Sequence, residues 1–272
     1  MTRQGARERV IVALDVNDVE KAIELVAKLK GYVGGFKIGF EFIYSMFSTL
    51  ITTGQDSAFH TLVRLRTLFS AFNNLEFVDG KIADIGNTVA GASKAICRLQ
   101  PLMFNVHAFA GPPALKAARQ AVDEISAQLG LEQKPLLIAV TLLTSLGEDD
   151  LVQLGLKAED DTEPRRLEIV VRLAKLAQRH GCDGVIASPL EVTAIRAACG
   201  PLFLIYTPGV RLPGSSKQDQ KAVSAPGNSI RDGANGVVVG RDITGATDVV
   251  AAAELVADNI LEAVNQHSEG DD

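Results

Sequence analysis

Short apolar runs recur along the chain, each closed off by turn-forming or polar residues. They are "VIVAL" (10–14), "GFKIG" (35–39), "LEFVD" (75–79), "MFNVH" (103–107), "LLIAVT" (136–141), "DGVIA" (183–187), "LFLIY" (202–206) and "GVVVG" (236–240). Near-continuous hydrophobicity over about five residues suits a strand buried on both faces, as in a parallel sheet. Between the runs the period changes to that of an amphipathic helix. "NDVEKAIELVAKLKG" opens on Asn17 as an N-cap with Glu20 three residues on, then aligns Val19, Ile23, Val26 and Leu29 on one stripe and stops at Gly31. Comparable stripes fill 87–99, 112–129, 163–180, 189–199 and 246–264. Eight strands alternating with helices, without a linker, predict an α/β fold: a closed (β/α)8 (TIM) barrel, one domain over 1–272 with frayed termini at 1–8 and 266–272. A doubly wound open sheet is the competing arrangement, and strand count and length favour closure. The connection between the second and third strands is longer than one helix needs. Its two amphipathic segments, "FIYSMFSTLITTGQDS" and "AFHTLVRLRTLFSAF", predict an extended helical connection suited to packing or oligomer contacts.

Composition narrows the class. With 272 residues and 47% hydrophobic content the chain can fill the core of such a barrel, which takes about 250 residues. A net charge of −6 offers no basic excess to offset phosphates, which argues against a general nucleic-acid binder. Cys97, Cys182 and Cys199 have neither metal nor redox spacing and read as buried thiols in a reducing compartment. No run approaches the ~18 apolar residues of a membrane span, and "MTRQGARER" lacks the apolar stretch of a signal peptide. The expectation is a soluble cytoplasmic protein with neither a nucleic-acid nor a membrane partner.

In this barrel class the chemistry sits where the strands end. Reading off those ends gives Asp15, Lys37, Asp79 with Lys81, His107, Thr141 to Ser145, Ser188, "TPGVR" (207–211), and Gly240 with Arg241. Asp79 and Lys81 are two apart, so in extended chain they face the same way, whereas Asp84 follows a turn. A solvated charge cluster is the ordinary explanation for such a pair, but the apolar run beneath it makes unpaired charge costly. Lys37 lies between apolar neighbours and reads as an inward partner for Asp79 or Asp15. The segment "TPGVRLPGSSKQDQKAV" (207–223), with Arg211, Lys217, Gln220 and Lys221, resembles the phosphate-binding loops that follow the seventh and eighth strands of many such barrels. There Gly240 and Arg241 would complete the grip. A floppy loop beside a helix-start arginine is the bland alternative.

Together these residues resemble orotidine 5′-phosphate decarboxylases. The run D-x-K-x-x-D-I-x-N-T is present as Asp79, Lys81, Asp84, Ile85, Asn87 and Thr88. "ALDV" with Asp15 and "FKIG" with Lys37 precede it, and "VTLLTSL", "TPGVR…DQ" and "VVVGR" follow in order. Gly80 and Ala83 stand where bulkier residues are usual, and the 42–74 connection is long; neither touches a charged position. The resemblance implies decarboxylation of orotidine 5′-monophosphate to UMP, with no metal and no organic cofactor. It implies catalytic roles for Lys81, Asp79, Asp84 and Lys37, with Lys81 protonating C6. It implies substrate contacts from Asp15, Lys37, Ile85, Thr88, Pro208, Arg211, Gln220, Gly240 and Arg241, and from Thr144 or Ser145 at the base. It also implies a homodimer in which Asp84 and Thr88 serve the neighbouring subunit's site.

Two rivals remain. Sugar-phosphate enzymes of the 3-keto-gulonate 6-phosphate decarboxylase and hexulose phosphate synthase group share the D-x-K-x-x-D frame, but bind Mg2+ and carry Glu where this chain has Lys37. A non-catalytic nucleotide-binding barrel would have little use for an intact charge array. His60, His180 and His267 read as incidental, His107 as support at the site end, and "LGEDD" (146–150) as a solvated helix start.

Overall fold

Among the described residues of the computed structural model (1–71, 77–212 and 224–268), eight parallel strands close into a barrel in chain order. They are β1 (Val10–Ala13), β2 (Gly35–Gly39), β3 (Phe77–Ile82), β4 (Met103–His107), β5 (Leu136–Val140), β6 (Gly184–Ile186), β7 (Leu204–Thr207) and β8 (Gly236–Val239). β1 pairs with both β2 and β8, which closes the ring. Helix α1 (Arg3–Arg7) precedes the barrel, and α2 (Val19–Leu29) follows β1. Two helices, α3 (Phe40–Thr52) and α4 (Gln55–Ala71), fill the long connection after β2, as its two stripes predict. Then come α5 (Gly86–Cys97), α6 (Gly111–Leu129), α7 (Glu148–Gln153), α8 (Arg166–Arg179), α9 (Val192–Cys199), α10 (Pro226–Arg231), α11 (Arg241–Thr244) and α12 (Val249–Ser268).

Alternation along the strands divides the apolar residues between two cores. Ile11, Ala13, Phe77, Met103, Ile138, Val140, Ile186 and Val238 pack together inside the barrel. Their strand neighbours, such as Val10, Val12, Val78 and Phe104, meet the helices outside. Each large aliphatic or aromatic side chain buried this way stabilises the fold by roughly 1.5–3 kcal/mol. The plug of the barrel is thus apolar, and the polar inward positions Lys37, Asp79 and Asn105 are supported on it.

Three expectations need correction. The N-cap of α2 is Asp18, not Asn17: its Oδ1 accepts from the Glu20 N–H at 2.9 Å, placing a carboxylate at the helix start, where it is favoured. The first residues are not frayed. Thr2 caps α1, Ala6 is fully buried, and Arg3 and Arg7 pair with Glu254 on α12. At the other end, α12 continues to Ser268, and 269–272 lie outside the described residues. Third, β3 does not stop at Asp79 but runs on to Ile82, while residues 75 and 76 lie outside the described residues. Among the described residues no helix is long and apolar enough to cross a membrane.

Candidate active site

The ends of β2 and β3 place a charged chain over the apolar plug. Lys37 is only 6% exposed, and its Nζ lies 2.9 Å from Asp15 Oδ1 and 3.0 Å from Asp79 Oδ2. Lys81 Nζ donates to both Asp79 oxygens at 2.7 Å. The order is Asp15, Lys37, Asp79, Lys81, with charges alternating. Gly39, paired in register with Asp79, makes this possible: a Cβ there would stand 2.9 Å from the Lys37 ammonium.

Strand periodicity alone does not join Asp79 to Lys81. The β3–β4 register shifts between Val78 and Ile82, and Lys81 has φ +36°, a left-handed conformation that costs a non-glycine residue about 1–3 kcal/mol. Asn105, fully buried on β4, holds this bulge. Its Oδ1 accepts from the Lys81 N–H at 2.6 Å, and its Nδ2 donates to Asp79 Oδ1 at 2.7 Å. The sequence reading missed Asn105, although a polar residue amid the apolar "MFNVH" run is itself a signal.

The electrostatics follow from this packing. Burial pushes the Lys37 pKa down, but Asp79 and Asp15 outweigh it and hold the ammonium above its ordinary value. Burial likewise pushes Asp79 up, and Lys37 and Lys81 outweigh it, holding the carboxyl below its usual range. Both groups are therefore charged near neutrality. His107 is half-buried, and burial, with the nearby Lys81 charge, lowers its pKa; it does not line the cavity.

Above the array opens a cavity of about 590 Å3. Its floor is Ala13, Phe77, Val140, Ile186 and Val238, and one wall is Asp15, Lys37, Asp79 and Lys81. The loop after β5 adds Leu142, Leu143, Thr144 and Ser145; the ends of β7 and β8 add Pro208, Gly209, Arg211, Gly240 and Arg241. Arg211 is oriented by Asp242, its Nε 3.4 Å from Oδ1 and both side chains nearly buried. Glu41 and Thr244 also line the cavity and were not anticipated.

Other strand-end residues stand apart. Thr141 and Ser188 are fully buried and serve the scaffold: the Thr141 hydroxyl donates to the Ile186 carbonyl, and the Ser188 N–H donates to Glu191. Asp84, Ile85 and Thr88 are exposed beyond the cavity, Ile85 by 72%. Asp84 Oδ1 accepts from the Ile85 N–H at 2.6 Å. Gln220, Lys217 and Lys221 lie outside the described residues. Among the described residues, no group of three or more His, Cys, Asp or Glu side chains is arranged to hold a metal ion.

Comparison with known proteins bears on this site. Residues 8–256 match the family described as Orotidine 5′-phosphate decarboxylase / HUMPS family. The orotidine 5′-phosphate decarboxylase of Moorella thermoacetica is 44% identical over 260 residues, covering 96% of this chain and 95% of the relative. That of Trichlorobacter lovleyi is 40% identical, covering 97% and 100%. The crystal structure of orotidine 5′-phosphate decarboxylase from Lactobacillus acidophilus superposes with a TM-score of 0.71 at 32% identity, covering 92% of this chain and 98% of that one.

Proposed function

The chain belongs to the orotidine 5′-phosphate decarboxylase / HUMPS family, and we propose how its residues divide the work of its reaction, the decarboxylation of orotidine 5′-monophosphate to UMP and CO2 in pyrimidine biosynthesis. The observation that carries the assignment is the bond between the Lys81 ammonium and both oxygens of buried Asp79, on the cavity wall above an apolar floor. The substrate carboxylate sits beside Asp79, with C6 facing Lys81. As the bond from C6 to the carboxylate carbon breaks, its electron pair stays on C6 and CO2 departs. Lys81 Nζ then gives C6 a proton, forming the C–H bond of UMP, and recovers one from solvent.

The magnitudes fit this assignment. A ring carbanion without a neighbouring electron sink depends on fixed positive charge. One unit charge pair at ~4 Å and an effective dielectric of about 20 contributes on the order of 4 kcal/mol, roughly three decades in rate. Asp79 repels the substrate carboxylate but not neutral CO2, so its effect favours the forward step. Lys37 keeps Asp79 ionised for this purpose. The remaining cavity walls suit the rest of the nucleotide: Asp15 and Lys37 for the ribose, Thr144 or Ser145 for the base edge with Pro208 beside it, and Arg211, Arg241 and the Gly240 backbone for the phosphate.

We further propose that two copies of the chain pair, so that Asp84, Ile85 and Thr88 of each complete the neighbouring subunit's site. Their exposure beyond the cavity supports this. So does a stripe on α3, Phe40, Tyr44, Phe47 and Ile51, each more than two-fifths exposed and spaced to share one helix face. The unpaired thiols Cys97, Cys182 and Cys199 suit a cytoplasmic setting.

Loss of the ultraviolet absorbance of orotidine 5′-monophosphate on adding purified protein tests the activity. Turnover undiminished by a chelator is the expected result. Activity abolished by the chelator would transfer the site to the Mg2+-dependent sugar-phosphate branch. UMP binding without turnover would make the barrel a nucleotide sensor.

A further inference from the structure

The loop after β5 brings Leu143, Thr144 and Ser145 to the cavity, and side chains from elsewhere fix its course. Arg166, the first residue of α8, reaches over it: Nη1 donates to the Leu146 carbonyl at 2.7 Å and to the Leu143 carbonyl at 3.3 Å. Arg166 Nε donates to Glu191 Oε1 at 2.7 Å, and the two side chains are 16% and 3% exposed. The other Glu191 oxygen accepts from the Ser188 N–H at 2.7 Å, which ties the carboxylate to the turn after β6. In return Glu148, just past the loop, accepts from the backbone N–H groups of Arg165 and Arg166 and from Lys157 Nζ. The segment from Leu143 to Glu148 is thus clasped to the start of α8 from both directions.

Stability alone does not account for this arrangement. Replacing a buried ion pair by well-packed apolar residues is often neutral or stabilising, because desolvation offsets the charge attraction. Here burial pushes the Glu191 pKa up, and Arg166, though it pulls the other way, does not reverse the shift. Arg166 Nη2 is moreover buried without a hydrogen-bond partner among the described residues, a further cost. What a guanidinium adds, and an apolar pair cannot, is a rigid fork that fixes a carboxylate on one side and two carbonyls on another. Those carbonyls bracket Thr144 and Ser145.

We propose that Arg166 and Glu191 are positioning residues for the base-contacting wall: they touch no substrate, and they set where Thr144 and Ser145 stand against the pyrimidine. The proposal rests on the cavity being the orotidine 5′-monophosphate site. It predicts a ligand-selective defect, because ribose 5-phosphate has the sugar and phosphate but no base.

Binding of UMP and of ribose 5-phosphate is measured for the unmodified protein, Arg166→Ala, Arg166→Lys, and the double variant Arg166→Met with Glu191→Leu. Turnover of orotidine 5′-monophosphate by the unmodified protein is the control. Arg166→Ala and the double variant are expected to weaken UMP binding about tenfold, the worth of roughly one net hydrogen bond, and to raise KM more than they lower kcat. Ribose 5-phosphate binding stays within about twofold. Arg166→Lys, which keeps the charge on a single donor nitrogen but loses the planar fork, falls between. The double variant keeps its apolar volume and so reports even if Arg166→Ala fails to fold. A folded double variant with an unchanged UMP preference overturns the proposal, as does equal weakening of both ligands. Failure of the unmodified protein to consume orotidine 5′-monophosphate sinks the activity instead, and the binding preference then still decides whether the clasp positions the loop.

Discussion

Asn105→Ala is the most informative single perturbation of the charged array, because Asn105 touches both members of the Asp79–Lys81 pair and carries no charge of its own. Two bonds are lost: Nδ2 to the Asp79 carboxylate and Oδ1 from the Lys81 N–H. A hydrogen bond to a charged group is worth about 1.5–3 kcal/mol, and an orphaned buried N–H costs about 1–3 kcal/mol. The expected destabilisation is therefore on the order of 3–5 kcal/mol. At about 2–4 °C per kcal/mol for a chain of this size, the melting temperature falls by roughly 10 °C and the protein still folds.

The effect on rate has a different origin. Without the Asn105 oxygen the left-handed backbone at Lys81 loses the cross-strand bond that holds it, and relaxing it releases about 1–3 kcal/mol of strain. That relaxation carries the ammonium away from its place against Asp79. A retreat of Nζ from about 4 to about 8 Å from the developing carbanion halves the charge interaction, from about 4 to about 2 kcal/mol. The loss corresponds to roughly a thirtyfold fall in kcat. The assay is single-turnover decay of orotidine 5′-monophosphate absorbance well below the melting transition, beside equilibrium UMP binding, which should change little. A folded Asn105→Ala protein with kcat within twofold of the unmodified enzyme would refute the reasoning. Lys81 would then hold its position without the cross-strand bond.

Lys81→Ala should bind UMP yet lose at least about three decades of turnover; a variant retaining a tenth of the activity would show that another group protonates C6. Asp79 and Lys37 predict a plateau in stability with pH. The depressed Asp79 pKa contributes above the ordinary carboxyl value and fades as pH falls through the lower folded value, whereas the raised Lys37 pKa contributes below the ordinary lysine value and fades as pH rises through the higher folded one. The melting-temperature difference between the unmodified protein and Asp79→Asn should thus stay flat from about pH 5 to about pH 9 and shrink below about pH 4; a difference growing toward acid would contradict the assigned directions. Phe47→Glu places a charge on the exposed α3 stripe and should shift sedimentation toward monomer with loss of activity, whereas an unaltered dimer would remove α3 from the interface.

The sequence made legible whatever depends on neighbours along the chain, and left obscure what depends on a neighbouring strand. The apolar runs announce the strands because burial on both faces disfavours polar residues without partners there, and the two stripes after β2 announce α3 and α4 for the corresponding reason. Lys37 stood out because a lysine in such a run needs a partner, and the structure gives it two, Asp15 and Asp79. Period two brought Asp79 and Lys81 together for an incomplete reason. The contact exists, but through a bulge that Asn105 holds from β4, and no local pattern in "VDGKI" encodes a residue 24 positions on. Arg166 and Glu148 were hidden in the same way. Glu148 reads as part of a solvated helix start and Arg166 falls inside the 163–180 stripe, and only closure of the barrel brings the start of α8 over the loop after β5. The chemistry was visible because charge in an apolar context is conspicuous at single positions. Its positioning was not, because the groups that aim Lys81 and the β5 loop are ordinary polar residues whose partners exist only once the ring of strands has closed.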